Sequence, residues 1–296
     1  MYRVTTILRW LVALLAIVAM FCGPLFAERV LQDETGRTVR LPDRVNRAIS
    51  LTPSLTDSVY ALGASSQLVA ITDFTSYPPQ AAKEKPSIGD ILNPSIERIL
   101  SFHPDVVIAV STLNSPETVK GLERVRIPVF LVQGRGLAGV YSSIASLGAV
   151  LGREKEAAML TAKLKSRQAR IEEEAKKGPH PTVFLALQLE PCITAGRGAF
   201  ITELIGLTGA RSVTADLKQD WMRVNLEAIL PRNPQYILLL KSAPFSLKDM
   251  RALPGWSALA AVKAGHVIYA DDRLQIPGPA AFDGLDDLAQ QVRSAK

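Results

Sequence analysis

Residues 96–110 (IERILSFHPDVVIAV) and residues 226–240 (LEAILPRNPQYILLL) are two copies of one pattern that decides the fold. In the same gapless register, each copy has an aliphatic residue, a glutamate, a leucine, a proline and a closing apolar run. A short helix, a proline-containing turn and a strand covered on both faces produce such a pattern. Two copies therefore predict two similar α/β lobes with parallel sheets. The alternative is a chance likeness, because helix–turn–strand units recur in α/β proteins.

The chain begins with the features of an export signal. Arg3 and Arg9 are followed by about twelve mostly apolar residues, too few to span a bilayer comfortably. Ala27 suits the position before a cleavage site. Cys22 raises the alternative of lipid attachment, but the bulky Phe21 before it argues against that. We predict a signal peptide at residues 1–27, cleavage after Ala27 and a periplasmic protein.

Composition excludes several classes of protein. The chain has 34 Lys and Arg against 28 Asp and Glu, and its net charge of +6 is spread along the sequence. Without a block of basic residues, nucleic-acid binding is not expected. Only Cys192 follows the predicted signal peptide, so no intramolecular disulfide can form in the mature chain. We predict a monomer that is held together by its core.

Alternating strands and helices divide the mature chain into two lobes. In the first lobe, the sequence predicts a hairpin at residues 30–41 and strands at residues 46–51, 67–72 and 128–132. It also predicts a helix at residues 52–62 that is capped by Ser54. A helical apolar spacing follows, with a break or kink at Gly152, and no Pro or Gly lies between residues 153 and 177. About 25 helical residues would span roughly 38 Å, which suits a stiff connector. The predicted domains are residues 28–138, a connecting helical segment at 139–178, and residues 179–296.

Seven segments spread over nearly all of the mature chain follow a known order and spacing: DETGRTVRLP (33–42), RAISLTPSLTDSVYALGA (47–64), ITDFTSYPPQA (71–81), ILNPSIERI (91–99), HPDVVIA (103–109), WMRVNLEAIL (221–230) and PGP (277–279). With these segments, the chain resembles the substrate-binding proteins of ABC importers for cobalamin, siderophores and heme, and the YPP loop with the NPSIERI stretch most resembles the cobalamin branch. The resemblance implies two Rossmann-like lobes joined by one long helix, with the ligand in the cleft between them.

The resemblance also assigns roles to individual residues. Glu97 and Glu227, the glutamates of the two repeat copies, align with the residues that dock on arginines of the dimeric permease. The alternative is that each carboxylate only complements a helix dipole. Phe74 and Trp221 align with ligand-contacting aromatic residues of cobalamin binders, and Tyr77 is either a third contact or a brace for the Pro78–Pro79 turn.

Two further expectations concern the ligand. Asp271 and Asp272 follow the last predicted strand and are expected to accept hydrogen bonds from ligand amides. The segment 276–280 reads IPGPA where many relatives have Arg-Pro-Gly-Pro-Arg, which argues against a strongly anionic siderophore or heme. Asp57 replaces a glutamate that is usual in the family. The expected cargo is therefore cobalamin or a related corrinoid, with a ferric siderophore or heme as the alternative.

An enzyme is the competing class, because Rossmann-like lobes also host transferases and reductases. The sequence has no GxGxxG or Walker A loop, and the Gly-Arg-Gly tripeptides at 134–136 and 196–198 are weak signals. The three histidines, His103, His180 and His266, are not spaced for a zinc or manganese site. We predict a binding protein without catalytic residues, resident metal or cofactor.

Overall fold

The computed structural model describes residues 28–295, so the predicted signal peptide and Cys22 lie outside the described residues. The first lobe opens with an antiparallel hairpin of β1 (Glu28–Gln32) and β2 (Thr38–Pro42), as predicted. A parallel sheet follows, in the order β4-β3-β5-β6, with strands β3 (Ala48–Ser50), β4 (Leu68–Ala70), β5 (Val106–Val110) and β6 (Val129–Val132). Its helices are α1 (Pro53–Ala61), α2 (Pro79–Glu84), α3 (Ile96–Ser101) and α4 (Pro116–Arg124).

Helix α1 begins two residues earlier than a Ser54 cap would place it. Thr52 is the N-cap, its hydroxyl accepts a hydrogen bond from the Leu55 amide, and Pro53 occupies the first helical position. Proline suits that position because its missing N–H would have no partner there anyway. The predicted serine cap was therefore wrong by two residues.

Two helices link the lobes. Helix α5 (Gly136–Leu151) ends at Gly152, which has φ 65°, and α6 (Glu154–Ala175) follows at once. Only glycine adopts this left-handed conformation at no steric cost, so the predicted break at Gly152 is confirmed. The 22 residues of α6 span about 33 Å.

The second lobe repeats the parallel sheet. Its strands are β7 (Thr182–Ala186), β8 (Ile193–Ala195), β9 (Arg211–Ser212), β10 (Trp221–Arg223), β11 (Tyr236–Leu240) and β12 (Val267–Ala270). Four of them form a parallel sheet in the order β12-β11-β7-β9, while β8 and β10 form a separate antiparallel pair. The helices are α7 (Phe200–Leu207), α8 (Leu226–Ile229), α9 (Leu247–Ala252), α10 (Ala260–Ala264) and α11 (Ala281–Arg293).

The two repeat copies adopt the same local structure. Helices α3 and α8 lead into β5 and β11, and both strands are interior strands of their sheets. The residue before the proline has positive φ in each copy, 43° at His103 and 41° at Asn233. The predicted architecture of two lobes with parallel sheets is thus confirmed.

One buried apolar cluster extends across both lobes and the two linking helices. Ile144 on α5 and Ile171 on α6 belong to the same cluster as Leu55 of the first lobe and Phe282 of the second. Arg167 on α6 also pairs with the second lobe, 2.8 Å from Asp283 and 2.5 Å from Asp286. The lobes therefore share a packed core. Within residues 28–295, none of the helices has the length and apolar character that crossing a membrane requires.

Candidate ligand-binding site

A cavity of about 600 Å³ lies between the lobes. The first lobe contributes residues that follow the carboxyl ends of β3, β5 and β6, and the second contributes residues near β8, β10 and β12. Ligands of open α/β sheets bind at this edge, where the connecting loops converge. The lining residues are Thr52, Pro53, Ser54, Val110, Thr112, Leu113, Gly134, Arg135, Gly136, Gly198, Ala199, Phe200, Asp220, Trp221, Gln275, Ile276 and Pro277.

The lining is neutral except for one ion pair. Nη2 of Arg135 lies 3.2 Å from one carboxylate oxygen of Asp220 and 3.3 Å from the other. Arg135 precedes α5 and Asp220 precedes β10, so the pair joins the two sides of the cavity. A neutral, partly apolar lining with few charges is typical of a site for a large organic ligand.

Two further hydrogen bonds connect the lobes beside the cavity. The carboxylate of Glu203 on α7 accepts from the amide of Leu137 at the start of α5, at 2.9 Å. This bond satisfies one amide in the first turn of a helix whose own N-cap residue, Arg135, makes no side-chain cap. The carboxylate of Asp57 on α1 accepts from the amide of Ala280, at 2.8 Å. The mutual position of the lobes is therefore held by specific polar contacts as well as by the shared core.

Trp221 is the predicted contact that the structure places in the cavity. It opens β10, pairs with Ala195 of β8, and is 47% exposed although it is a large apolar side chain. An exposed tryptophan on a cavity wall offers a flat surface for stacking or apolar contact. Its neighbour in the sequence, Asp220, is the one acidic residue of the cavity lining within residues 28–295.

Phe74 lies outside this cavity. It follows β4, has φ 61°, and is 81% exposed. Its ring borders a separate depression of about 310 Å³ that Asp73, Lys85 and Ser87 also line. Since β4 belongs to the same parallel sheet as β3 and β5, Phe74 is nevertheless on the edge of the sheet that carries the cavity loops.

Tyr77 packs against the second lobe. The guanidinium carbon of Arg273 lies 5.5 Å from the centre of the tyrosine ring, within the range of a cation–π contact. Tyr77 lines a different cavity, of about 240 Å³, together with Asp57, Arg167 and Asp283. Neither predicted role of Tyr77, as a ligand contact or as a brace for the Pro78–Pro79 turn, is tested by these contacts.

Asp271 and Asp272 are engaged by their own lobe and do not line the interlobe cavity. Asp271 accepts from Nε and Nη2 of Arg273, at 2.8 and 3.0 Å, and hydrogen bonding from Arg273 is the main factor that holds its pKa below the ordinary value. Asp272 accepts from the amide and the hydroxyl of Ser242. The expectation that both accept hydrogen bonds from the ligand stays a prediction, since a carboxylate oxygen can accept more than one hydrogen bond.

Asp57 is a buried carboxyl at the lobe interface. It is 4% exposed, and burial is the main cause that raises its pKa to about 6. The neighbouring charge of Asp283 raises the pKa further, while the hydrogen bond from the Ala280 amide lowers it. The sequence marked Asp57 only as a departure from the family, since nothing local reveals its burial.

Glu97 and Glu227 occupy equivalent, exposed positions. Each is the second residue of its helix, after the N-caps Ser95 and Asn225, and the side chain of each cap lies within hydrogen-bond distance of the glutamate. Among residues 28–295, neither carboxylate forms a salt bridge. Both stay free for a cationic partner.

Arg135 and Asp220 line the cavity, but the sequence did not identify either of them as a site residue. The Gly134–Gly136 tripeptide is a weak dinucleotide signal, although it follows a predicted strand and thus lies at the ligand-binding edge. The pair itself could not be predicted, because 85 positions separate its members. In the described part of the chain, no group of three or more His, Cys, Asp or Glu side chains is arranged to hold a metal ion.

Comparison with known proteins agrees with this geometry. The family model described as periplasmic binding protein matches residues 49–274. The ABC transporter substrate-binding lipoprotein YvrC of Bacillus subtilis, described as uncharacterized, is 30% identical over 270 residues, 88% of this chain and 84% of the relative. A vitamin B12-binding protein of Vibrio cholerae is 26% identical over 257 residues, 86% of this chain and 92% of the relative.

A solved structure has the same fold. The periplasmic heme-binding protein RhuT from Roseiflexus sp. RS-1, in its apo form, superposes with a TM-score of 0.77 at 23% identity. The match covers 84% of this chain and 98% of that protein.

Proposed function

The chain belongs to the periplasmic binding protein family of ABC-transporter substrate-binding proteins, and we propose that its cargo is cobalamin or a close corrinoid relative. The observation that carries this proposal is the interlobe cavity, where Trp221 stands 47% exposed in an otherwise mostly neutral lining. A corrinoid is flat, large and mostly apolar at its edges, so such a wall suits it. The similarity to a vitamin B12-binding protein along most of both chains supports the same ligand.

Heme is the main alternative, and the cavity lining does not favour it. Heme iron in proteins is held by His, Cys, Met or Tyr side chains. In the part of the chain that the structure describes, no His, Cys, Met or Tyr lines the cavity. A corrinoid brings its own cobalt ligands and needs none from the protein. The function proposed here is binding and delivery, without catalysis and without a resident cofactor.

A bound corrinoid would extend beyond a cavity of about 600 Å³. Phe74, at the same edge of the first lobe's sheet and 81% exposed, stays a predicted contact for the protruding part. Asp271, Asp272 and Tyr77 also stay predicted contacts, beside their contacts with Ser242 and Arg273.

We also propose that the protein is exported, cleaved after Ala27 and active as a monomer that docks on a dimeric permease. Glu97 and Glu227 are the proposed docking residues, one for each permease subunit. The proposed lobes keep their predicted limits, residues 28–138 and 179–296, with 139–178 as the connecting segment.

The test is the variant Trp221→Ala, titrated with cobalamin in a calorimeter. Loss of a large aromatic contact should weaken binding by about 1–3 kcal/mol, roughly 5- to 150-fold in Kd. Tyr269→Ala is the matched control, because Tyr269 is 45% exposed on β12 but does not line the cavity. Unchanged affinity in a folded Trp221→Ala protein would exclude Trp221 from the site.

A further inference from the structure

The ion pair between Arg135 and Asp220 is exposed and contributes little to stability. The side chains of Arg135 and Asp220 are 66% and 43% exposed, respectively. Both residues line the cavity, so a ligand that enters it meets them directly. Breaking this pair costs the protein little, provided that the guanidinium finds another anion.

Most hydrogen-bond donors of the Arg135 guanidinium have no acceptor among residues 28–295. Within residues 28–295, its only hydrogen bonds to Asp220 come from Nη2, so Nε and Nη1 have no acceptor. A guanidinium presents its donors as a planar fork that matches the oxygens of a phosphate or carboxylate. Among the described residues, Arg135 is also the only cation of the cavity lining.

A glycine allows the Asp220 carboxylate to reach this position. A β-carbon at Gly198 would lie 1.8 Å from Oδ1 of Asp220 and 3.6 Å from Nη2 of Arg135. The β-carbon of an alanine at residue 198 would therefore clash with the carboxylate but not with the guanidinium. The structure thus offers two independent ways to free Arg135, one at Asp220 and one at Gly198.

The second Gly-Arg-Gly tripeptide behaves differently. Arg197 donates its Nε to the Ala215 carbonyl at 3.2 Å and is not among the cavity-lining residues. Two arginines in the same tripeptide context thus differ in whether they face the cavity. Arg197 is a matched control for Arg135.

We propose that Arg135 binds an anionic group of the ligand, of the phosphodiester type, in competition with the Asp220 carboxylate. This inference rests on the proposed corrinoid function, because cobalamin carries one phosphodiester in its nucleotide loop. Arg135 then supplies in the cavity lining a cation that the IPGPA segment at 276–280 lacks. Asp220 sets specificity: a ligand without an anionic group gains nothing from opening the pair.

The experiment compares cobalamin with cobinamide, which has the corrin ring but not the nucleotide loop, by calorimetry. Arg135→Gln should weaken cobalamin binding by about 10-fold or more, since a hydrogen bond to a charged group is lost, and change cobinamide binding by less than about threefold. Asp220→Asn should strengthen cobalamin binding by about two- to fivefold. Gly198→Ala should act in the same direction as Asp220→Asn, and Arg197→Gln should leave both affinities unchanged.

The outcomes separate this inference from the function on which it rests. Equal effects of Arg135→Gln on the two corrinoids, or no gain from both Asp220→Asn and Gly198→Ala, would overturn the inference and leave corrinoid binding intact. A wild-type protein that binds neither corrinoid would overturn the proposed function together with the inference.

Discussion

Cells that carry Glu97→Arg together with Glu227→Arg should lose uptake of labelled cobalamin by about tenfold or more, while the purified variant keeps its affinity. Both carboxylates are exposed and form no salt bridge among residues 28–295, and neither lines the cavity. In the double variant, cations would face the permease arginines that the family resemblance implies. Like charges across an interface cost several kcal/mol.

The double variant should be more severe than either single reversal, because each lobe would meet a different permease subunit. The matched control is Glu154→Arg with Glu173→Arg, which changes the net charge equally at exposed positions of α6. The control should leave uptake unchanged. Normal uptake in the Glu97/Glu227 double variant would show that these carboxylates only complement their helix dipoles.

The second large effect concerns pH and the buried carboxyl of Asp57. In the folded protein its pKa is about 6, against 3.8 in an unperturbed chain. The folded state therefore retains a proton between these values that the unfolded chain has released, so the free energy of unfolding falls as pH rises through this window. The difference of about two pKa units corresponds to roughly 3 kcal/mol of stability lost between about pH 4 and pH 6.

The measurement is urea unfolding at a series of pH values from about 4.5 to 7.5. Asp57→Asn keeps an oxygen for the Ala280 amide but cannot ionise, so its profile should be nearly flat where the wild type declines. The charged neighbours Lys163, Arg167 and Asp283 line the same cavity and are kept in the variant.

Asp216→Asn serves as the control for this experiment. A hydrogen bond from Arg232 is the main factor that holds the pKa of exposed Asp216 below its ordinary value. Its stabilising effect is therefore lost only as pH falls below the range tested, and the control should keep the wild-type slope. The same slope in Asp57→Asn as in the wild type would assign the pH dependence to another group.

The repeated segments explain why the fold could be predicted from the sequence. Each copy contains the signals for a helix, a turn and a strand within fifteen residues. These three elements can therefore be predicted from neighbouring residues alone. Parallel sheets then place the functional loops at the carboxyl ends of the strands. Trp221 follows from this logic together with the family resemblance, and it lies in the cavity.

Some features of the site depend on contacts that no local sequence pattern records. Asp271 and Asp272 have the expected position after β12, but the hydrogen bonds from Arg273 and Ser242 are seen only in the structure. The positive φ of Phe74 and its place outside the interlobe cavity were likewise not predictable from the residues around it. The Arg135–Asp220 pair exists only because two distant loops meet across the cleft.

Calorimetry of residues 28–296 against cobalamin, cobinamide, heme and a ferric siderophore tests most directly whether this protein carries a corrinoid between its lobes. We expect a saturable heat with cobalamin, at one ligand per chain, and clearly weaker or no binding of heme and the siderophore. No heat with either corrinoid, together with tight binding of heme or the siderophore, would show that the cargo is not a corrinoid.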